Sequence, residues 1–215
     1  MSALPNFSYE IPLWGKGMTV IGIDEVGRGA FAGPVAVGGV VFSPNLIGSD
    51  IDHLLSLGIN DSKKITAKKR EELNLTIKEL AAAWHISFIS VERINETGIG
   101  KATFEGMKEV VNTLKLKARN PYLLIDAFKI PEIAVPQMGI IRGDSLSISI
   151  AAASIIAKVE RDRLMAELGK KYLHYAWEKN KGYGTLIHRK AIAKYGQTSH
   201  HRVDFCRKIV PGLLF

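Results

Sequence analysis

VIGIDEVGRGAFAGPVAVGGVVF, residues 20–42, is the stretch that decides the fold. It contains most of two Val- and Ile-rich segments, residues 18–23 and 35–42, which a glycine- and proline-containing connection separates, a pattern typical of two neighbouring β-strands. Asp24 and Glu25 stand at the end of the first strand, directly before a Gly-Arg-Gly sequence. Because carboxylates are rarely placed beside a core strand without a partner, this stretch predicts a chemical role as well as a fold.

The rest of the chain alternates between strand and helix patterns. Further strands are predicted over residues 84–91, 122–125 and 139–141. Helices are predicted over residues 66–83, with Thr66 as N-cap, and over residues 99–116, 145–168 and 186–195. Alternation after an initial pair of strands favours an α/β fold in which helices cover a sheet.

Length and charge indicate one domain with a basic C-terminal part. The 215 residues suit a single domain, with an N-terminal extension over about 1–17 and a basic extension over about 169–215. Net charge is +8; residues 1–60 carry two Lys or Arg against five acids, and residues 165–215 carry ten against three. This asymmetry favours a protein that grips a polyanion and holds cations elsewhere, although a merely solubilising basic surface explains the charge equally well.

Cysteine use and hydropathy indicate a protein of a reducing compartment. Cys206 is the single cysteine, so an intrachain disulfide and a Cys-x-x-Cys zinc site are both excluded, and a buried, inert thiol is expected. The sequence has no uncharged apolar run long enough to span a membrane, and its first residues lack the features of a signal peptide. We therefore expect a cytoplasmic protein that does not enter a membrane.

Three acids follow predicted strands or precede a helix. Asp24 and Asp126 each close a buried strand, and Asp144 lies just before the long apolar helix. Carboxyl ends of neighbouring strands meet at one edge of an α/β sheet, so the three carboxylates are expected around one cavity. Clustered carboxylates suit Mg²⁺ or Mn²⁺, and two such ions about 3.5–4 Å apart can hydrolyse a phosphodiester. Ordinary strand-end turns, and for Asp144 an N-cap, are the alternatives.

Glu25 raises a geometric difficulty. Successive residues of a strand point to opposite faces, so Asp24 and Glu25 can serve one site only if the strand ends or bulges there, or if one of them contributes a backbone oxygen. Gly27 and Gly29 allow an irregular backbone and a close approach of ligand, and Arg28 is suited to a phosphate.

Five motifs, spread over residues 20 to about 205, resemble those of one family. In order they are IDEVGRGAFAGPV, NDSKK, LLIDAF, GDSLSISIAAASIIAKVERDRL and KGYGT. The same motifs occur in this order in ribonuclease HII. The resemblance implies a ribonuclease H-like fold, a five-stranded mixed sheet flanked by helices with a helical C-terminal extension. It also implies a metal-dependent endonuclease that degrades RNA in RNA–DNA hybrids and incises duplex DNA on the 5′ side of embedded ribonucleotides, leaving 3′-hydroxyl and 5′-phosphate ends.

The resemblance also implies roles for individual residues. By matching motif, the metal-site acids are Asp24, Glu25, Asp126 and Asp144, which would hold two Mg²⁺ or Mn²⁺ ions with substrate bound. Gly27, Arg28 and Gly29 correspond to the loop that reads the ribose 2′-hydroxyl, and Tyr183 to the tyrosine that packs on the adjacent deoxyribose; alone, Tyr183 reads as a turn residue. Asn60, Lys63 and Lys64 lie in a basic loop suited to phosphate, or to plain solvation.

Two alternatives stay open at this point. Ribonuclease HIII carries an additional N-terminal substrate-binding domain, which the approximately 17 residues before the first strand are too few to form. A hybrid-binding protein without turnover would be expected to lack a metal acid. Partners are therefore expected to be RNA–DNA hybrid and ribonucleotide-containing duplex DNA, with the protein a monomer. One basic set suits the same duplex, although a solvated helix surface explains it equally well: Lys179, Lys181, His188, Arg189 and Lys190. His200, His201 and the PGLLF tail at residues 211–215 have no assigned role.

Overall fold

One mixed β-sheet forms the centre of the protein. The computed structural model describes residues 4–43, 45 and 49–207. The strands are β1 (Thr19–Val26), β2 (Val35–Val41), β3 (Ala83–Ile89), β4 (Pro121–Asp126) and β5 (Gln137–Ile140). They lie in the order β3-β2-β1-β4-β5; β1 is antiparallel to β2 and parallel to β4, while β3 runs antiparallel to β2 and β5 parallel to β4. The prediction of a five-stranded mixed sheet is confirmed.

Helices surround this sheet and make up the C-terminal part. They are α1 (Ile11–Trp14), α2 (Ser49–Ser56), α3 (Ala67–Leu80), α4 (Val91–Thr97), α5 (Ile99–Leu114), α6 (Ile148–Lys171), α7 (Trp177–Asn180), α8 (Leu186–Tyr195) and α9 (Val203–Cys206), with 3₁₀ turns at Lys115–Lys117, Gly143–Ser145 and Leu173–Tyr175. The helices α3, α5, α6 and α8 confirm the four predicted ones. Thr66 caps α3 as expected, its side chain accepting the N–H of Lys69 at 3.2 Å.

Several element boundaries differ from the prediction, and three of them can be traced to strand pairing or to a helix cap. β1 does not end at residue 23 but continues to Val26, and β3 ends at Ile89 because Ser90 caps α4. The helix predicted from residue 145 begins at Ile148, with Ser147 as its cap, accepting the N–H of Ile150. The N-cap alternative for Asp144 is therefore wrong.

At two glycines of the sheet, the backbone of helix α6 packs directly against the backbone of the strands. A Cβ added at Gly22 of β1 would lie 2.3 Å from the carbonyl carbon of Ser149, and one added at Gly38 of β2 would lie 2.3 Å from the carbonyl oxygen of Ala153. Because no side chain separates the helix from the strands at these glycines, backbone contacts set the distance between α6 and the sheet. Apolar side chains of α3 and α6 fill the core on this face, and those of α5 fill the core on the other.

The two ends of the described chain both reach α6. Asn6 bridges to Ser147, and the buried carboxylate of Glu10 accepts hydrogen bonds from the Ser147 hydroxyl at 2.6 Å and the Ser149 N–H at 3.0 Å. At the other end, Trp177 and Cys206 belong to a buried cluster that packs on the last turns of α6. The C-terminal part is helical as expected up to residue 206; the PGLLF tail lies outside the described residues.

Two further properties concern this described part of the chain. Cys206 is buried as predicted, and burial raises the pKa of its thiol to about 11, which keeps it protonated and unreactive at neutral pH. None of the described helices combines the length and the apolar character needed to cross a bilayer.

Candidate active site

Asp24 and Asp126 stand side by side at the carboxyl ends of two parallel strands. The last paired residues of β1 and β4 are Ile23 and Ile125, and each acid follows its strand's last pair. Asp144 is buried in the 3₁₀ turn after β5, and Asp126 fixes that turn, its Oδ1 accepting the Gly143 N–H at 2.7 Å. The sheet thus brings the three aspartates to one edge, as the strand-end argument predicted.

Glu25 reaches the same edge without the strand end or bulge expected from the sequence. β1 continues through Glu25, which pairs with Val37 of β2, so the expectation that the strand stops at Asp24 is wrong. Pairing with β4, however, ends one residue before Asp24, and Glu25 lines the same cavity as Asp24 and Asp126. One of its carboxylate oxygens, Oε1, is 3.5 Å from Arg28 Nη1; the other, Oε2, is buried without a hydrogen-bond partner.

The carboxylates influence one another strongly. Burial raises the pKa of Asp24 well above its ordinary value, and the charges of Glu25, Asp126 and Asp144 raise it further. Burial is also the main reason why the pKa values of Glu25 and Asp144 are raised, with the negative charge of Asp126 adding to both. Arg28 opposes the pKa shift at Glu25, and Lys63 and Lys64 oppose it at Asp144, but burial and the repulsion between carboxylates outweigh these cations, so each carboxylate disfavours ionisation of the next.

A cavity of about 400 Å³ opens at this edge of the sheet. Its lining residues are Asp24, Glu25, Val26, Gly27, Arg28, Gly29, Ser62, Lys63, Asp126, Lys158 and Tyr183. The structure therefore brings together most of the residues singled out from the sequence, and adds Ser62 and Lys158. Asp144, Asn60 and Lys64 are not in the lining.

The basic loop divides between the cavity and its surroundings. Lys63 faces the acids; partial burial lowers its pKa, but the charges of Asp61, Asp24 and Asp144 outweigh that effect and raise it. Lys64 instead donates to the Ser145 hydroxyl at 2.9 Å, and the Asn60 side chain accepts the N–H of the following residue at 2.8 Å. Of the three residues predicted to meet phosphate, only Lys63 lines the cavity.

The loop over residues 27–34, here called the glycine loop, forms one wall. Gly27 has φ +89°, and a Cβ there would lie 2.0 Å from Arg161 Nε, so both its conformation and its neighbour require glycine. Gly29 has open space around it, and Arg28 is exposed, with its guanidinium carbon 5.2 Å from the centre of the Phe128 ring. The loop thus presents backbone and one exposed cation to a ligand.

Tyr183 belongs to a second connection, residues 181–184, here called the tyrosine turn. The turn bonds directly to the glycine loop, because the Gly182 carbonyl accepts the N–H groups of Phe31 at 2.8 Å and Ala32 at 3.2 Å. The Tyr183 ring is half-buried and lines the cavity. His188, expected on the duplex-facing surface, is fully buried beneath the turn, its Nδ1 3.0 Å from the Tyr183 carbonyl oxygen.

The donor set fits a hard divalent cation. Among residues 4–43, 45 and 49–207, no group of three or more His, Cys, Asp or Glu side chains is already arranged to hold a metal ion. Yet the converging ligands are carboxylate oxygens, which Mg²⁺ and Mn²⁺ prefer, and the buried Glu25 Oε2 has no other partner. A divalent ion would also supply the positive charge that the raised pKa of Asp24 shows to be missing.

A central mixed sheet with acids at the ends of β1 and β4 and in the turn after β5 defines the ribonuclease H-like class of nucleases. Comparison with known proteins agrees. Residues 21–208 match the sequence profile of the family described as Ribonuclease HII. The chain belongs to the ribonuclease HII family.

Individual relatives support this assignment. The chain is 42% identical over 205 residues to the ribonuclease HII of Caldanaerobacter subterraneus subsp. tengcongensis, covering 95% of this chain and 81% of the relative. It is 47% identical over 201 residues to that of Wolbachia pipientis, covering 94% and 95%. Among solved structures, ribonuclease HII in the PCNA:RNase HII complex from Archaeoglobus fulgidus has a TM-score of 0.68 at 30% identity, over 86% of this chain and 93% of that one.

More distant structures share the fold. Ribonuclease H2 from Pyrococcus horikoshii matches with a TM-score of 0.72 at 24% identity, over 89% of this chain and 97% of that chain. Bst-RNase HIII in complex with Mn²⁺ matches with 0.68 at 18% identity, over 89% and 69%. As a member of the ribonuclease HII family, the chain is a divalent-metal-dependent endoribonuclease that acts on RNA–DNA hybrids and excises ribonucleotides from DNA.

Proposed function

We propose that Asp24, Glu25, Asp126 and Asp144 hold two Mg²⁺ or Mn²⁺ ions and that phosphodiester hydrolysis occurs between them and the glycine loop. The observation that carries this proposal is the convergence of the three aspartates with Glu25, whose buried Oε2 has no partner. Bound divalent ions supply activation of a water and stabilisation of the charge that develops on the leaving oxygen. The products would be a 3′-hydroxyl and a 5′-phosphate, with the cut on the 5′ side of the ribonucleotide.

The four acids differ in what they offer. Asp24 is the most deeply buried and feels the charges of the other three, so we assign it the position shared between the two ions. Asp126 accepts the N–H of Gly143, the residue before Asp144, so these two acids are held near each other. Each would complete the ligands of one ion. The free Oε2 favours a carboxylate contact from Glu25 over a contact through its backbone carbonyl.

Substrate recognition is assigned to the cavity residues other than the acids, in the glycine loop, the tyrosine turn and the basic loop. Gly27, Arg28 and Gly29 would contact the ribose 2′-hydroxyl, because two of them bring only backbone to the surface. The ring of Tyr183 would pack on the neighbouring deoxyribose, where a 2′-hydroxyl would be crowded. Lys63 is the phosphate contact that the cavity supports best, while Lys64 and Asn60 would support the loop that carries it.

The assembly and location complete the proposal. The acids, the glycine loop and Tyr183 converge on one cavity within a single fold, so we propose that a monomer suffices for cleavage. Its substrates would be RNA–DNA hybrid and ribonucleotide-containing duplex DNA, met in the cytoplasm.

The substitution Asp126→Asn tests the assignment of the acids. Asparagine keeps an oxygen that can accept the Gly143 N–H but removes the charge, so the fold should persist while the rate falls by at least about a hundredfold. The measurement is single-turnover cleavage, in Mg²⁺ and in Mn²⁺, of a duplex that contains one ribonucleotide.

Glu132→Gln is the matched control, because Glu132 is an exposed acid outside the cavity lining that pairs with Lys108 at 2.9 Å. It should cleave at the rate of the unmodified protein. A folded Asp126→Asn variant that cleaves as fast as this control would show that the acids do not act as proposed.

A further inference from the structure

Two arginines are completely buried beside the substrate cavity. Arg161, in α6, and Arg202, just before α9, both have zero relative exposure. None of the ion pairs found within the described residues includes either side chain. Burying a guanidinium without a carboxylate partner costs free energy unless its N–H groups are hydrogen-bonded, so both arginines must have other hydrogen-bond acceptors.

Arg161 connects the glycine loop to the tyrosine turn. Its Nε donates to the Pro34 carbonyl at 2.8 Å and its Nη2 to the Ala32 carbonyl at 3.1 Å, both in the glycine loop. Its Nη1 donates to the Lys181 carbonyl at 2.9 Å, in the tyrosine turn. The guanidinium carbon also lies 5.5 Å from the centre of the Tyr183 ring. One rigid, planar group therefore spans both recognition elements.

Arg202 makes the same kind of contact but to one element only. Its Nε and Nη2 donate to the Gly33 carbonyl at 2.9 and 2.8 Å, and its Nη1 donates to the carbonyls of Gly27 at 2.8 Å and Arg28 at 2.9 Å. All these oxygens belong to the glycine loop. The two arginines thus form a natural pair for comparison: both are buried, both bind backbone carbonyls, and only Arg161 reaches the tyrosine turn.

We infer that Arg161 is a positioning residue that fixes the spacing between the glycine loop and the tyrosine turn, and thereby sets the preference of the enzyme for an RNA–DNA junction. The inference rests on the proposed roles of Gly27–Gly29 and Tyr183. A junction places a ribose and a deoxyribose in succession, so a reader of both sugars must hold its two parts at one separation. The guanidinium fork does this because its donors lie in a fixed plane, whereas a lysine offers donors at a single point.

The test compares Arg161→Lys with Arg202→Lys on two substrates, a duplex containing one ribonucleotide and a uniform RNA–DNA hybrid that has no junction. Arg161→Lys should lower the ratio of kcat/KM values, junction substrate over uniform hybrid, by about tenfold, because the uniform hybrid does not need the deoxyribose contact. Arg202→Lys should lower kcat/KM on both substrates in proportion, because the ribose contact is common to them. Equal ratios in the two variants would overturn the inference.

Three further variants separate a positioning effect from lost stability and from failure of the proposed function. Met107→Ala removes packing on the opposite face of the sheet and should lower the melting temperature with an unchanged ratio; a ratio that falls here as in Arg161→Lys overturns the inference. If Arg161→Lys does not fold, Gly182→Ala decides, because its Cβ would lie 2.4 Å from the Ala32 carbonyl oxygen and push the turn from the loop. An unchanged ratio there also overturns it.

Tyr183→Ala shows which idea has failed. If this variant loses the junction preference while Arg161→Lys keeps it, the tyrosine reads the deoxyribose and only the role of Arg161 is wrong. If Tyr183→Ala itself keeps the preference, the proposed recognition by the tyrosine turn is wrong, and the inference about Arg161 falls with it.

Discussion

Two groups of charged side chains, one acidic and one basic, lie beside the glycine loop, and their burial is compensated in opposite ways. In the acid edge, formed by Asp24, Glu25, Asp126 and Asp144, the pKa values of Asp24, Glu25 and Asp144 are raised, and the Glu25 Oε2 atom has no hydrogen-bond partner. The arginine pair, Arg161 and Arg202, donates to six backbone carbonyls, although burial lowers both pKa values. The acid edge would be completed by the proposed metal ions, whereas the hydrogen bonds of the arginine pair are made within the protein. Removing charge should therefore stabilise the first and destabilise the second.

The largest effect on stability is expected at Arg202. Arg202→Met would remove the guanidinium donors from three carbonyls of the glycine loop. The Gly27 carbonyl keeps the Ala30 N–H at 3.1 Å, whereas those of Arg28 and Gly33 lose their donors, and we expect the free energy of unfolding to fall by about 3 kcal/mol. The midpoint of thermal unfolding should then fall by roughly 6–12 °C for a chain of this size. Urea and thermal unfolding followed by circular dichroism measure both quantities.

Arg28→Met is the control for that experiment, since Arg28 lies in the same loop but is exposed. Its effect on the free energy of unfolding should stay within about 0.5 kcal/mol. Similar losses in the two variants would contradict the contrast between a buried, satisfied cation and an exposed one.

A smaller, pH-dependent effect is expected from the histidines behind the arginine pair. Burial, followed by the nearby His188, lowers the pKa of His201 from its ordinary 6.5 to about 4. Below pH 6.5, His201 binds a proton in the unfolded chain but stays neutral in the folded protein, so it lowers the free energy of unfolding as the pH falls. The expected loss between pH 7 and pH 5 is about 2 kcal/mol.

The contribution of His201 is isolated by difference. The buried acids have raised pKa values and act with the opposite sign, so the quantity to measure is the free energy of unfolding of the unmodified protein minus that of His201→Gln. This difference should shrink or change sign as the pH is lowered from 7 to 5. A difference that stays constant would mean that His201 titrates normally.

The smallest effect, and the one of opposite sign, is expected at Asp24. Asp24→Asn keeps an oxygen to accept the Glu25 N–H, now 2.8 Å from Oδ1, and removes a buried charge that three carboxylates repel. In EDTA the variant should be more stable than the unmodified protein by about 1 kcal/mol.

Adding Mg²⁺ should reverse that order. The ion binds the folded acid edge and stabilises the unmodified protein in proportion to its occupancy, while the variant gains less. Thermal unfolding at increasing Mg²⁺ concentration measures both responses. If Asp24→Asn is the less stable protein in EDTA, the acid edge is not short of positive charge.

Much of this site was predictable from the sequence because its signals are local. Thr66 indicates where α3 begins. Asp24 and Asp126 each end an apolar segment, so the convergence of these two acids follows from strand geometry alone. The extension of β1 through Glu25 was not predictable, since acids have low strand propensity and the pairing with Val37 is a tertiary contact. Choosing Ser147 over Asp144 as the cap likewise depends on contacts from Asn6.

The arginine pair shows where a missed signal existed and where none did. Arg161 shares a four-residue spacing with Ala157, Met165 and Gly169, all buried on one stripe of α6, so a lone cation on an apolar helix face could have been noticed. Arg202 stands in a short polar stretch beside His201 and has no comparable pattern. Its burial arises from the packing of the C-terminal helices on the glycine loop, which the local sequence does not encode.

Because α6 contacts the glycines of the sheet closely, a small tilt of the helix about these contacts would displace residues further along it. About 12 Å of helix separates Ala153, which rests on Gly38, from Arg161, so a tilt of about 5° would move the guanidinium by about 1 Å. Displacements of that size are enough to impair a reaction that depends on aligned groups. Because the same helix begins next to the turn that carries Asp144, such a tilt would displace both a proposed metal ligand and the arginine proposed to position the tyrosine turn.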